Sequence, residues 1–368
     1  MKYYIIAGEA SGDLHASNLI KYIKYNDPKA ELRGWGGDKM EAEGTTLVKH
    51  FRDLAFMGFA EVVMNLKTIL SNIKFCKQDI LQNRPDALIL VDYPGFNLRI
   101  AKWAKANGLK VIYYISPQVW AWKENRVKMM RQCIDLMMVI LPFEKKYYKE
   151  KWNWDVEYVG HPLVQVINDF TPTITHFSDK PVVAVLPGSR KQEIAVKLPV
   201  MLEVSLQFPH LHFIVAMAPG MDENFYKQFT DKYPNASCVG GLTYDLLKTS
   251  TAAMVTSGTA TLETAIFRVP EVVCYKGNAI SYQIAKRLIT IKYISLVNLI
   301  MDKPIVKELI QDEMNSKNLA TELKDLLDNP VRQQTLSEDY KSLHELLSAG
   351  GNASQKAAQL IQDFLQGK

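Results

Sequence analysis

The sequence lacks the long apolar run that a membrane-spanning helix requires. Hydrophobic residues make up 48% of the 368 positions, but no uninterrupted stretch approaches the roughly 20 apolar residues that cross a bilayer. The chain also enters a strand-like pattern within its first few residues, without the ordered regions of a secretory signal. We therefore expect a cytoplasmic protein.

Cysteine and clustered metal ligands are also scarce. The four cysteines are Cys76, Cys133, Cys238 and Cys274. They are far apart and form no C-x-x-C pair, so we predict buried free thiols and neither a disulfide framework nor a zinc site. His210 and His212 alternate in the sequence H-L-H-F, which is typical of strand residues and does not indicate a metal site.

Two common nucleotide-binding fingerprints are missing. The chain contains no G-x-G-x-x-G, which argues against NAD, and no G-K-[ST], which excludes a Walker loop. Net charge is modest at +5, and residues 1–170 hold all of the excess, with 24 Lys and Arg against 19 Asp and Glu. Such a basic half could face nucleic acid, an anionic membrane or a phosphorylated substrate, or could simply be a solvated surface.

What the chain does contain is a repeated alternation of buried strand patterns and helix-length segments. This alternation predicts an α/β fold in which parallel sheets are covered by helices on both faces. The strand patterns are YYIIAG, ELRGW, DALILVDY, KVIYYIS and DLMMVILPF, then PVVAVLPGS, LHFIVAMAP, ASCVGG, TAAMVTSG and PEVVCYKG.

The pattern is interrupted once, near the middle of the chain. Periodicity is lost after Gly160, where prolines and threonines accumulate. We predict a first doubly wound domain over 1–165, a linker over 166–180 and a second doubly wound domain over 181–335. Helices over 336–368 are expected to pack back on the first domain. Two such domains imply a ligand cleft beyond the carboxyl ends of their strands.

The first strand pattern breaks into the small-residue loop G-E-A-S-G-D. A loop of this kind at the start of a helix leaves backbone N–H groups open to an anionic or polyhydroxylated ligand. The alternative is an ordinary turn in which two glycines supply backbone freedom. The predicted substrate-binding residues of this loop are Gly8, Glu9, Ser11, Gly12 and Asp13.

Two further strand ends in the second half indicate phosphate binding. L-P-G-S-R places Gly188, Ser189 and Arg190 where backbone N–H groups and a guanidinium could hold a diphosphate. Further along the chain, the sequence T-S-G-T-A-T-L-E lies at the end of the strand pattern TAAMVTSG. It supplies a phosphate-type turn and a carboxylate suited to a ribose diol. Alternatively, its hydroxyl residues only cap the helix and its glutamate lies on the surface. The residues concerned are Ser257, Gly258, Thr259 and Glu263.

The candidate base is Asp92, at the end of the strand pattern D-A-L-I-L-V-D-Y. A carboxylate there could accept a proton from a hydroxyl nucleophile within hydrogen-bond reach. It could equally cap the following helix, and His15 is a rival base just past the opening loop. The apolar and basic run 56–75 could lie on an anionic membrane, although a core helix has the same pattern.

Taken together, these motifs resemble one known family. Their order along the chain, from Ala7 to about Glu313, is that of the lipid-A-disaccharide synthases, which are inverting glycosyltransferases of the GT-B fold. The matching motifs are AGEASGD, GGDKMEAEG, MGFAEVV, DYPGFN, YYISPQVWAWKENRV, LPFEKKYY, VGHPL, LPGSR, SGTATLE and YISLVNLI.

The resemblance implies a specific reaction and specific roles. UDP-2,3-diacylglucosamine would donate its sugar to the 6-hydroxyl of 2,3-diacylglucosamine 1-phosphate (lipid X), giving the β-1,6-linked disaccharide and UDP. Asp92 and Arg190 stand at the family's essential positions, and Asn298 in YISLVNLI joins the predicted substrate-binding residues. No metal or other cofactor and no nucleic acid are implied. The implied partners are the two lipid substrates and the anionic inner-membrane surface, with a homodimer left open.

One departure from the family pattern concerns the base. Gly95 stands where family members often carry a second aspartate, so the assignment of the base rests on Asp92 alone. Two alternatives remain at this stage. The chain could be another UDP-sugar enzyme of this architecture, such as an N-acetylglucosaminyltransferase or a 2-epimerase, or it could bind UDP-sugars without catalysis.

Overall fold

The structure is a computed structural model that describes residues 1–54, 66–277, 282 and 292–367. Contacts between backbone positions divide the chain into two compact units. The first unit comprises residues 1–162 together with 347–368, and the second comprises residues 163–346. The predicted boundary between residues 335 and 336 lies inside a single helix, Pro330–Ser348.

The first unit is built on a seven-stranded parallel sheet with strand order β3-β2-β1-β4-β5-β6-β7. Its central strands are continuous runs of buried apolar residues because helices cover both faces of a parallel sheet. The strands are β1 (Lys2–Ala7), β2 (Glu31–Gly36), β3 (Thr46–His50), β4 (Ala87–Val91), β5 (Val111–Tyr114), β6 (Leu136–Val139) and β7 (Glu157–Tyr158).

The helices of this unit enclose two apolar cores, one on each face of the sheet. The last helix of the chain packs against the first one and buries Ala357 and Ile361. The helices are α1 (Ala10–Asn26), α2 (Asp38–Ala42), α3 (Leu66–Asn83), α4 (Pro94–Ala106), α5 (Arg126–Cys133), α6 (Pro142–Trp152) and, after the second unit, α15 (Ala353–Gln366).

The second unit repeats this plan with a six-stranded parallel sheet of order β10-β9-β8-β11-β12-β13. An apolar cluster that includes Val182, Ile214 and Val255 packs on it. The strands are β8 (Val182–Leu186), β9 (His212–Met217), β10 (Ala236–Gly240), β11 (Ser250–Thr256), β12 (Glu271–Tyr275) and β13 (Lys307–Ile310).

The first helix that belongs mainly to the second unit begins at Pro162, before the predicted linker over 166–180, and extends into it as far as Asn168. The segment that follows this helix is held by hydrogen bonds, since the N–H of Ile174 donates to the Asp245 carboxylate at 2.8 Å. The helices are α7 (Pro162–Asn168), α8 (Lys191–Glu203), α9 (Glu223–Thr230), α10 (Thr243–Thr249), α11 (Thr259–Ile266), α12 (Leu296–Met301), α13 (Ser316–Asp328) and α14 (Pro330–Ser348).

The predicted fold class, two parallel α/β sheets with a helical C-terminus, is confirmed. All ten predicted strands are present, and β3, β7 and β13 are strands that the sequence patterns did not indicate. Buried free thiols are found at Cys76, Cys133 and Cys274, whereas Cys238 is only partly buried and corrects the expectation for that residue. Within the described ranges, no helix combines the length and apolarity needed to cross a membrane.

Candidate functional site

The strand orders of both sheets point to the same kind of site. In each sheet the chain winds outward in one direction from the first strand and then continues on its other side, so β1 and β4, and likewise β8 and β11, lie next to each other at a switch point. Ligands of doubly wound sheets bind in the crevice beyond the carboxyl ends of such strands. Most of the predicted site residues directly follow these four strand ends.

Gly8 follows β1 and lies directly against the ring of Tyr93. A Cβ atom at this position would come within 2.2 Å of the Tyr93 ring carbon Cδ1, so only glycine fits without rearrangement. The sequence predicts Gly8 as a substrate-binding residue of a loop that a ligand can approach. At Gly8 the space is instead filled by Tyr93, which locks the loop after β1 to the loop after β4.

The other residues of the opening loop differ in exposure. Glu9 is the N-cap residue of α1 and is partly buried, whereas Ser11 is exposed. Gly12 is buried, and a Cβ there would contact Ala7 at 3.4 Å. Asp13 is also buried, and its carboxylate accepts N–H groups at the start of α2, including that of Gly37 at 2.8 Å. These bonds give Asp13 a structural role, and its contact with substrate stays a prediction.

Asp92 occupies a strained backbone position immediately after β4. Asp92 and Tyr93 both have positive φ angles, 46° and 48°, which non-glycine residues rarely adopt. The backbone carbonyl of Asp92 accepts bonds from the Tyr113 hydroxyl at 2.6 Å and the Asn97 amide at 2.8 Å. Strain of about 1–3 kcal/mol per residue persists only where surrounding contacts enforce it, and it often marks functional sites.

The alternative role of Asp92 as a helix cap does not match this geometry. The N-cap residue of α4 is Tyr93, and the Tyr93 side chain makes no capping hydrogen bond. The carboxyl group of Asp92 instead sits in a poorly solvated position beside Glu9. Burial is the main cause that raises the pKa of Asp92 to about 7, the negative charge of Glu9 adds to it, and a bond from the Tyr93 backbone opposes it.

A carboxyl group with a pKa near neutrality is a suitable general base. At neutral pH a large fraction of it is ionised. Because its conjugate acid is weak, the carboxylate can accept a proton from a hydroxyl nucleophile in the transition state. His15 is less suitable, because burial lowers its pKa to about 4. Its Nδ1 atom has no hydrogen-bond partner among the described residues. The assignment of the base to Asp92 remains a prediction.

A second buried carboxylate near this site was not predicted. Glu144 caps α6 by accepting the Leu141 N–H at 2.9 Å and holds the indole N–H of Trp120 at 3.2 Å. Burial raises the pKa of Glu144 to about 7, and the charge of Asp92 contributes to the increase. The signal for it was present in the sequence, since L-P-F-E is a helix start with Pro at N1 and Glu at N3.

The second unit has a cavity of about 300 Å³ at its switch point, beyond β8 and β11. Six of the predicted substrate-binding residues line this cavity: Gly188, Ser189, Ser257, Gly258, Thr259 and Glu263. The wall also includes residues that sequence reasoning missed, among them Glu193, Pro219 and Thr243. The residues predicted from two separate motifs are therefore brought together in one pocket.

The backbone around the cavity depends on two glycines. Gly188 and Gly258 have φ angles of 112° and 147°, in a region that residues other than glycine rarely adopt. Gly258 is the N-cap residue of α11, with no side-chain hydrogen bond at that cap. Ser257 donates instead to the carbonyl of Ile294 at 2.8 Å. The alternative that these hydroxyl residues merely cap the helix is therefore wrong for Ser257.

Glu263 and Arg190 have contacts of different kinds. Glu263 is partly buried and accepts the hydroxyl of Tyr244 at 2.7 Å. Burial raises its pKa, and the bond from Tyr244 opposes this. Arg190 is the exposed N-cap residue of α8, and its guanidinium donates to the Glu193 carboxylate at 3.0 Å. Both residues lie at the same strand-end region, one in the cavity wall and one beside it.

Asn298 is not among the residues that line this cavity, and it is buried in α12. Its amide donates to the Val306 carbonyl and to the Glu308 carboxylate, each at 2.9 Å, and its oxygen accepts the N–H of Val306 at 2.9 Å. These three bonds hold the start of β13 to α12. A direct contact between Asn298 and substrate stays a prediction.

Metal binding was not predicted, and the described residues contain no group of three or more His, Cys, Asp or Glu side chains arranged to hold an ion. Whether the reaction needs a metal or a cofactor is a separate matter, and the expectation that it needs neither stays a prediction.

Comparison with known sequences gives one consistent result. The family model described as lipid-A-disaccharide synthetase matches residues 3–363. A lipid-A-disaccharide synthase from Syntrophus aciditrophicus is 38% identical over 369 residues, covering 97% of this chain and 96% of the relative. One from Geobacter metallireducens is 37% identical and covers 98% and 96%, respectively.

Solved structures with the same fold are more distant in sequence. The glycosyltransferase of kitacinnamycin superposes with a TM-score of 0.68 at 13% identity and covers 99% of both chains. A UDP-GlcNAc 2-epimerase from Neisseria meningitidis, solved with UDP-GlcNAc, has a TM-score of 0.66 at 11% identity and covers 100% of both. At such identities the likeness shows the fold alone, which is the predicted GT-B architecture.

Proposed function

The chain belongs to the lipid-A-disaccharide synthase family, and from that premise we propose how its residues carry out the reaction. It is a glycosyltransferase of lipid A disaccharide formation. The proposed donor is UDP-2,3-diacylglucosamine and the proposed acceptor is 2,3-diacylglucosamine 1-phosphate. The new bond joins the acceptor's 6-oxygen to the donor's anomeric carbon, and the bond from that carbon to UDP breaks.

Asp92 is the proposed general base in this displacement. Its carboxylate takes the proton of the 6-hydroxyl as that oxygen attacks, so the negative charge develops on the departing UDP. The observation that carries this assignment is the strained position of Asp92, held by Tyr113 and Asn97, together with a pKa of about 7. A fixed carboxylate loses little freedom in the transition state.

The cavity of the second unit is the proposed site of the UDP group. Backbone N–H groups at the start of α8 and α11 and the guanidinium of Arg190 would meet the charge that grows on the diphosphate. Glu263, held by Tyr244 in the cavity wall, would accept bonds from the ribose hydroxyls. This division assigns proton transfer to the first unit and leaving-group binding to the second.

The substrate assignment is tested by comparing donors of different acylation. We expect UDP release with lipid X as acceptor to be fast with UDP-2,3-diacylglucosamine and at least about tenfold slower with non-acylated UDP-glucosamine, because the acyl chains contribute binding energy. The product should be an acylated disaccharide by mass spectrometry. Equal rates with both donors would contradict the lipid assignment. Binding of UDP without formation of any disaccharide would favour a protein that binds UDP-sugars without catalysis.

We also propose that the first unit contacts an anionic membrane through α3. Residues 56–65 of the predicted docking run lie outside the described residues, so the argument uses the helix that follows. Leu70, Phe75 and Leu81 are 54%, 46% and 50% exposed, and Lys67 and Lys74 are exposed beside them. Apolar side chains between lysines suit the interface of an anionic bilayer, which would let the sugars react while acyl chains stay in lipid.

Vesicle co-sedimentation tests this surface. The triple variant Lys67→Glu, Leu70→Ser and Lys74→Glu should bind anionic vesicles at least about tenfold more weakly, since each basic residue contributes about 1 kcal/mol near such a membrane. Lys317→Glu with Lys324→Glu, two exposed positions on α13, makes the same charge change and should bind as wild type. If both variants lose binding equally, net charge rather than this surface is responsible.

Metal independence is a further part of the proposal, whereas a homodimer is left open. Treatment with a chelator should leave turnover unchanged, because Arg190 and the helix N-termini are proposed to supply the charge that a metal would provide. Sedimentation equilibrium in detergent measures the oligomeric state directly. A loss of activity on chelation that Mg²⁺ restores would remove the metal-independent mechanism.

A further inference from the structure

Helix α8 contains a lysine whose side chain is buried, and lysine side chains are seldom buried. The side chain of Lys197 is only 3% exposed, although its ammonium group carries a full charge in water. Burying such a charge without compensation is unfavourable, so lysines are almost never fully buried unless they are paired. The partner here is Glu193, one helical turn earlier, whose Oε2 lies 3.6 Å from Nζ. A pair at this distance compensates the burial only in part.

The position of this ammonium group relates it to the predicted diphosphate loop. Its Nζ is 3.5 Å from the point where a Cβ of Gly188 would lie, and the Thr256 methyl group is 3.6 Å from the same point. Lys197 therefore lies directly behind the loop that ends β8, beside the end of β11. Gly188 and Thr256 both line the cavity of the second unit, so this charge is one layer of atoms away from it.

Glu193 connects this buried cation to the exposed one. Its Oε1 accepts the Arg190 guanidinium at 3.0 Å, and its Oε2 faces Lys197 at 3.6 Å. Glu193 also forms part of the cavity wall. One carboxylate is thus shared between two cations beside the cavity. The hydroxyl of Thr256 is buried there and has no hydrogen-bond partner among the described residues.

On the basis of the proposed UDP site, we propose that Lys197 supplies a second fixed positive charge for the diphosphate, from behind the Gly188 loop. Glu193 is the counter-ion that balances Arg190 and Lys197 before the nucleotide arrives. When the diphosphate binds, it takes the guanidinium of Arg190, and Glu193 remains paired with Lys197. Lys197 acts through the field across the loop, so it is a positioning residue and not a group that touches the reacting atoms.

The electrostatic argument depends on where this charge lies. An ammonium group in a poorly solvated site is screened less than an exposed one, so its attraction for a nearby anion is stronger. Burial lowers the pKa of Lys197, the carboxylate of Glu193 and the Cys274 thiol of β12 raise it, and Arg190 lowers it again. An arriving diphosphate adds negative charge, which favours the ammonium form. Nucleotide binding and protonation of Lys197 are therefore coupled.

Calorimetric titration with UDP and with uridine tests the inference, because only UDP carries the charge that Lys197 is proposed to meet. Lys197→Met keeps the buried volume and removes the charge, and it should weaken UDP binding about 10- to 100-fold while uridine binding is unchanged. Lys324→Met, an exposed lysine on α13, makes the same change in net charge and should leave both affinities unaltered. A thermal melt of each variant checks folding.

A pH series on the wild type provides a second readout that does not depend on any variant folding. The ratio of UDP to uridine affinity should fall as alkaline pH deprotonates Lys197, since ionisation of the uracil ring affects both ligands and cancels. This fall should be absent in Lys197→Met. Equal UDP affinity in wild type and Lys197→Met, or a parallel loss of UDP and uridine binding, would overturn the inference.

The same experiment separates this inference from the proposed function. If the wild type binds UDP no more tightly than uridine, the second unit does not hold a diphosphate and both proposals fail. If the wild type prefers UDP strongly but Lys197→Met retains that preference, the nucleotide site stands and only the role of Lys197 is removed.

Discussion

The switch points of the two sheets are built in contrasting ways from the same topology. After β4 the chain is tightly held, with two consecutive non-glycine residues at positive φ, Asp92 and Tyr93, and two side-chain bonds to one carbonyl. After β8 and β11 the turns use Gly188 and Gly258, and the adjoining Ser189 and Arg190 are exposed.

The difference teaches how one architecture can support two tasks. Proton transfer requires a base fixed to within a fraction of an ångström, and the contacts around Asp92 provide such a position. Binding of a diphosphate requires bare backbone N–H groups and accessible cations, which glycine turns and an exposed guanidinium provide. Removing a group from the first region should therefore mainly slow turnover, and removing one from the second should also weaken nucleotide binding.

The largest expected effect comes from Asp92→Asn. This change removes the proton acceptor but keeps the shape of the side chain, so turnover should fall by about 10²- to 10⁴-fold. UDP affinity, measured by calorimetry, should stay within about twofold of wild type. A variant that turns over normally would move the base elsewhere, and one that loses UDP binding would break the division between the two regions.

A smaller loss of turnover is expected for Gly8→Ala. The added methyl group would overlap the ring of Tyr93, which must shift together with Asp92, and a displacement of about 1 Å can slow a reaction about 100-fold. Overpacking of this kind also destabilises by about 1–3 kcal/mol, which urea unfolding can measure.

Gly95→Ala is the matched control for that variant. It lies in the first turn of α4, and no atom lies within 4 Å of its Cβ position among the described residues. Turnover and stability should be at least those of wild type, since alanine favours helix over glycine. Equal damage in both variants would contradict the assignment of the Gly8→Ala effect to overlap with Tyr93.

Arg190→Ala should affect binding and chemistry together. Loss of a charge-assisted bond to phosphate typically weakens binding by about 10- to 100-fold, and turnover should also decline because the leaving group loses charge stabilisation. Lys191→Ala, at the first residue of α8 and also exposed, is the control and should change UDP affinity much less. An unaltered UDP affinity in Arg190→Ala would exclude its guanidinium from the site.

The smallest effect concerns the pH dependence and involves Glu9→Gln. Because Asp92 acts as a base only when ionised, kcat/KM of the wild type should rise with pH with a midpoint near pH 7. The negative charge of Glu9 raises the pKa of Asp92, so its removal should move this midpoint to lower pH. Burial is the larger cause, and the shift should therefore be partial. A midpoint that moves to higher pH would contradict the assignment.

Much of the architecture could be predicted from the sequence because it depends on local patterns. Continuous apolar runs such as Ile5–Ala7 specify buried parallel strands, and the small residues after them specify turns. β3 and β7 escaped prediction because they lie towards the sheet's edge and are only partly buried. At such positions pairing with a neighbouring strand, and not apolar periodicity, decides the conformation.

For the candidate site, the sequence determined which residue types follow each strand and which chemistry they could support. A carboxylate after β4, a guanidinium after β8 and small residues after β11 were all readable there. The tertiary structure alone decided the environments of these groups. It showed that Tyr93 fills the space beside Gly8 and that Asp13 caps α2.

The surroundings of the charged groups, which determine their pKa values, are likewise evident only in the folded structure. The high pKa of Asp92 depends on burial and on Glu9, which is 83 positions away in the chain but adjoins it across the β1 and β4 strand ends. The burial of Lys197 behind Gly188 also has no signature in the sequence. From the sequence alone, Lys197 has the pattern of an ordinary polar residue of a helix. Solvation and long-range Coulomb interactions depend on distances in space, and these are set by packing and not by local residue order.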